Sequence, residues 1–90
     1  MATVGTIMDI AERRYGFKIT DRARQLYNLG FIHSHVVAAF LAQRAADLLE
    51  RGDTEGREAQ IALCRAVRRA GRRYGGILPL TTEIRVDPKD

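Results

Sequence analysis

Five arginines are spaced so that they can act together: Arg65, Arg68, Arg69, Arg72 and Arg73. They recur every three or four residues. A helix of period 3.6 brings such positions onto one face. A planar guanidinium suits phosphate or carboxylate oxygens, which it can bind through two parallel hydrogen bonds. The chemistry suggested is therefore the holding of a multivalent anion. The plainer alternative is a solvated helix face in an arginine-favouring protein, since 13 of the 15 basic residues are arginine.

Charge bookkeeping sharpens this pattern. Residues 57–76 hold six arginines and one glutamate, a net of +5 within a whole-chain charge of +4, so the remainder sums to −1. Like charges at three- and four-residue spacing repel by a few tenths of a kcal/mol per pair, roughly. A bound polyanion relieves that repulsion. The sequence pI near 9.8 likewise suggests an acidic partner, either nucleic acid or an acidic protein surface.

Other chemistry has weaker support. His33 and His35 fall on different faces of a helix and could share a metal only if extended, and no third ligand stands at metal spacing nearby. Cys64 has arginines close in sequence that could favour a thiolate, but neither histidine is near enough in sequence to serve as its base. No glycine-rich loop suits phosphates, the carboxylates are scattered, and no cofactor is implied. The expectation is a protein that is not an enzyme.

The elements that must position the arginines can be read from the periodicity. A helix over 55–74 follows a cap at Thr54 and stops at Gly75 and Gly76. Leu63, Val67, Ala70 and Tyr74 form its apolar stripe. A long helix over 34–51 precedes it and is stopped by Gly52. The short turn predicts that the two pack as an antiparallel hairpin. Shorter helices are expected over 7–15, capped by Thr6, and over 21–29, capped by Thr20. Ile7, Ile10, Ala11 and Tyr15 form the inner face of the first. Residues 17–19 are a short strand or a linker.

The start of the 34–51 helix is apolar nearly all round. Val37 and Leu41 face one way, Val36 and Phe40 the other. Such a helix end is buried between neighbours or lies in an oligomer interface. From Pro79 onwards the period changes to two: Leu80, Thr82, Ile84 and Val86 alternate with polar residues. That predicts a strand or extended arm over 79–90, pairing with 17–19, with another copy, or with another protein. Val36, Phe40, Leu80, Ile84 and Val86 are accordingly the candidate interaction residues, with a second copy among the candidate partners.

The fold expected is all-α: a small helical domain over 1–78, with two short helices on a long antiparallel hairpin, followed by the arm. A helix-turn-helix built from 21–29 and the following helix has about the right spacing. Its reading helix would begin His33-Ser34-His35-Val36-Val37-Ala38-Ala39-Phe40, which is too apolar to read bases. The arginine helix lacks the heavy apolar load of an interfacial membrane helix, and no apolar run reaches the ~20 residues of a membrane span. One cysteine and no signal-like start suggest a reduced, cytoplasmic setting. Two functions follow as expectations. One is nucleic-acid binding, DNA or RNA, through the arginine face. The other is a protein–protein interaction module: an adaptor, inhibitor or assembly subunit.

Overall fold

The computed structural model describes residues 2–86. The chain is mostly helical, with a few short antiparallel strands. In order these are β1 (Ala2–Thr3), α1 (Val4–Tyr15), α2 (Asp21–Asn28), β2 (Phe31–His33), α3 (Ser34–Glu50), α4 (Thr54–Arg73), β3 (Ile77–Pro79) and β4 (Glu83–Ile84).

α1 begins three residues earlier than the periodicity suggested. Thr3 is the N-cap, its hydroxyl accepting from the Thr6 N–H at 3.1 Å. The reason lies at the far end of the chain. The Val4 N–H donates to the Thr82 carbonyl (2.9 Å) and the Gly5 N–H to the Leu80 carbonyl (2.8 Å). Donors left over at a helix start are thus satisfied by residues almost eighty positions away. The earlier start also moves the inner face. Val4, Ile7, Met8 and Ala11 are buried, whereas Ile10 and Tyr15 are exposed.

α2 begins as expected, with the Thr20 hydroxyl accepting from the Ala23 N–H. It packs against β2, and an Arg24–Glu12 ion pair ties it to α1. Arg24 also lies 5.0 Å above the Tyr27 ring. Burial, reinforced by the Glu12 and Asp9 carboxylates, raises the Tyr27 phenol above its ordinary range, with Arg24 acting the other way.

α3 and α4 form the largest packed pair. Asp53, rather than Thr54, caps α4, its carboxylate accepting from the Gly56 N–H at 2.8 Å. The two helices run in opposite directions. Ser34, at the start of α3, sits against Gly71 near the end of α4. Further along, the Cys64 thiol donates to the Ala38 carbonyl at 3.5 Å.

The strands close the molecule. Residues 17–19 form no strand, correcting the first pairing expected for the arm. Instead β3 pairs antiparallel with β2, with Ile32 opposite Leu78, and β4 pairs antiparallel with β1, with Ala2 opposite Ile84. The arm therefore pairs within the chain as far as it is described; residues 87–90 lie outside the described range. Leu78 and Ile84 enter the same core as Met8, Val37, Leu41 and Val67. Phe40 joins them at 5 % exposure, with Phe17 edge-on at 5.4 Å and Tyr15 at 5.7 Å. Its position on the far side of α3 from α4 does not leave it open. The end of α1 and the 16–19 linker cover that side, which is why the start of α3 is apolar all round.

Candidate functional site

The buried face of α4 is formed by Cys64, Ala66, Val67 and Gly71. Tyr74, expected on the apolar stripe, is about half exposed at the end of the helix. The arginines occupy the outward arc. Arg65, Arg68, Arg72 and Arg73 are exposed; Arg69 is half-buried and already engaged in an interaction of its own. Ion pairs elsewhere join Arg13 to Asp9, Arg24 to Glu12 and Arg85 to Glu83. Among the described residues, no carboxylate lies within ion-pair distance of Arg65, Arg68, Arg72 or Arg73.

The five do not share one surface. Arg68 and Arg73 are separated by about 140° around the helix axis. Arg68 and Arg72 border an open cleft of about 620 Å³, whose other side is Ser34, His35, Ala38 and Ala39 at the start of α3. Arg65 and Arg68, with Arg57, border a neighbouring cleft of about 350 Å³ floored by Ala42, Ala46 and Ile61. Arg69 and Arg73 instead face Glu83, Ile84 and Arg85 across a separate cleft of about 360 Å³. Tertiary packing thus makes a row of Arg57, Arg65, Arg68 and Arg72 along the α3 flank. At 1.5 Å per residue the row is about 22 Å long. Arg69 and Arg73 stand on the other flank.

Why α3 contributes can be worked out from the hairpin. Ser34 and Gly71 each lie eighteen residues from the turn pair Gly52-Asp53. An antiparallel hairpin therefore places the start of α3 beside the arginine-rich end of α4. Counting outward from the turn would have found this partnership. The reading of α4 alone missed it. The alanines of α3 add nothing beyond Cβ, so the guanidinium groups border an open floor.

The histidines behave differently from the helical expectation. His33 ends β2 and His35 lies in the first turn of α3, so the segment is extended just before them. Their rings stack at 5.4 Å, inclined by 30°. Among the described residues no three metal-ligating side chains converge. A second cleft of about 580 Å³ opens beside them, with Phe17, Ile19, Ala23 and Val36 on its walls and Lys18 and Arg22 at its edge. Cys64 is buried.

Of the five candidate interaction residues, Phe40 and Ile84 are in the core, and Val36 and Leu80 pack against it. Val86 is exposed. Among the described residues, no helix is long and apolar enough to cross a membrane. No protein-family model, curated protein or solved structure matches the chain.

Proposed function

We propose that the chain is a small non-enzymatic nucleic-acid-binding protein that holds phosphates along the row Arg57, Arg65, Arg68 and Arg72. One observation carries this reading: these guanidinium groups border open clefts, and the three nearest the end of α4 have no carboxylate at ion-pair distance among the described residues. Each can accept a phosphate without first breaking an internal pair. Such contacts release counterions from the nucleic acid, supply affinity and carry no sequence information. Arg69 and Arg73 contribute from the second flank by raising the local positive potential.

The test is binding of labelled nucleic acid at about 50 and 200 mM salt. Four phosphate contacts give a salt slope near −3.6 on duplex DNA, hence a loss of about a hundredfold between those conditions. Arg68→Ala or Arg72→Ala should weaken all sequences alike and flatten the slope by about one. Absence of binding at the lower salt sinks the proposal.

A second reading, a protein-interaction module, rests on a different observation. Leu49 is 58 % exposed beside Ala42, Ala46 and Ile61, with Arg57 and Arg65 at the rim. An apolar strip edged by cations suits an acidic amphipathic helix. Leu49→Ala, which adds no charge beside Arg57 and Arg65, would weaken capture of such a helix while leaving nucleic-acid affinity little changed. Pairing of two copies through Phe40 and Ile84 is not part of either reading, because both side chains are already covered.

A further inference from the structure

The cleft lined by Phe17 and Val36 lies outside the arginine row but opens onto it. His35 and Ala39 line both this cleft and the one bordered by Arg68 and Arg72, so the two adjoin across the first turns of α3. Their linings differ in kind. The phosphate-side cleft is edged by two guanidinium groups. The second has apolar walls, from Phe17, Ile19, Ala23 and Val36, and a cationic edge, from Lys18 and Arg22, with His33 beside it. Among the described residues no carboxylate lines either cleft.

An apolar recess of about 580 Å³ is within the size range of small-ligand sites. Positioned next to a row of phosphate-binding groups, it matches what a nucleotide presents: a flat, weakly hydrated base beside a charged linkage. A duplex cannot use it, because its bases are stacked and paired inside. A single strand can turn a base outward and keep its backbone on the cations. Proteins that bind single strands combine these two features, a basic track and a surface that accepts base faces.

Resting on the nucleic-acid reading above, we infer that the ligand is single-stranded, with one base lodged between the start of α2 and the first turns of α3. The flanking phosphates lie on His35, Arg68 and Arg72. The stacked rings of His33 and His35 form the lip over which the strand passes. The recess is walled by Phe17, Ile19, Ala23 and Val36 and keeps its polar groups towards the edge, so it accepts a base mainly by its face and discriminates little among sequences.

The experiment uses the full chain and four fluorescent probes of about 15 units: oligo-dT, oligo-rU, a mixed-sequence DNA duplex, and an abasic strand with the same sugar–phosphate backbone. All are titrated at about 50 mM salt, where phosphate contacts are strong. Stacking is worth enough per base that both base-bearing single strands should bind roughly tenfold tighter than the duplex or the abasic strand. Ala39 is exposed on the wall shared by the two clefts. Because Ala39 also lines the phosphate-side cleft, the readout is the ratio of single-strand to duplex affinity within the variant: Ala39→Leu should bring that ratio to about one while the melting temperature stays unchanged. If the duplex or the abasic strand binds as tightly as the single strands, or if Ala39→Leu leaves the preference intact, the recess does not take a base, and the phosphate row alone survives. If no probe binds, the nucleic-acid reading falls as well.

Discussion

Ser34 and Gly71 meet so closely that a Cβ added to Gly71 would stand 2.6 Å from the Ser34 Cβ. No real side chain tolerates that separation, so the end of α4 can lie against the start of α3 only because residue 71 has no side chain. The same contact sets Arg68 and Arg72 across from His35 and fixes the width of the cleft. Gly71→Ala should therefore destabilise by about 1–3 kcal/mol as overpacking, although alanine favours a helix interior by about 1 kcal/mol. Adding Ser34→Gly removes the obstructing atoms. Urea unfolding of both single variants and the double should show the double recovering part of the loss, a coupling of at least about 1 kcal/mol. Additive losses would mean that the two helices do not touch there.

Phe40 tests whether α3 is covered on both sides. Buried against Phe17 and Tyr15, it should cost about 3–5 kcal/mol as Phe40→Ala, a large part of the roughly 5–13 kcal/mol expected for a chain of this size. Leu49→Ala, on the open side of the same helix, should change stability by less than about 0.5 kcal/mol. Thermal melts would separate the two. A near-neutral Phe40→Ala would mean that this side of α3 is solvent-facing.

The arm makes a parallel prediction at the other end of the chain. Ile84 is 4 % exposed and Val86 is 46 % exposed. Ile84→Ala should cost about 2–5 kcal/mol and loosen the start of α1, whose Val4 and Gly5 amides bond to the arm. Hydrogen exchange at those two amides reports it directly. Val86→Ala should leave both exchange and stability unchanged. Fast exchange of Val4 and Gly5 in the parent protein would show that the arm is not docked.

Tyr27 gives a pH dependence with a definite sign. Its phenol is held above the ordinary range, first by burial and then by Glu12 and Asp9. The folded chain therefore keeps a proton that the unfolded chain loses near pH 10. That stabilisation is complete below about pH 10 and declines as pH rises through the folded value. Tyr27→Phe has no such proton to lose. Denaturant unfolding from pH 8.5 upward into the tyrosine range should show the parent losing stability more steeply than the variant. Equal slopes would place the phenol in water.

Much of the helical framework was legible because it depends on local signals. Thr20 begins α2, Gly16 ends α1 in the left-handed conformation that glycine tolerates, and the apolar spacing marks α3 and α4. The cluster of arginine along α4 was equally plain, since it is a property of consecutive turns. What failed locally failed for identifiable reasons. α1 starts at Val4 rather than Ile7 because its first amides find carbonyls in the arm, and no window of neighbouring residues contains that information. Phe31–His33 gave no strand signal of its own; it becomes one because β3 lies alongside.

The linear chain by itself determined where helices would form and that one of them would carry nearly all the excess positive charge. Only the tertiary structure decided how that charge is divided. A hairpin closed at Gly52-Asp53 draws Arg68 and Arg72 to Ser34 and His35, while Arg69 and Arg73, on the other side of α4, come to lie beside the docked arm. The physical reason is one of range. Helix period and capping act over three or four residues, whereas the cleft that joins Ser34 and His35 to Arg68 and Arg72 is made by groups more than thirty positions apart that meet only when the core is packed.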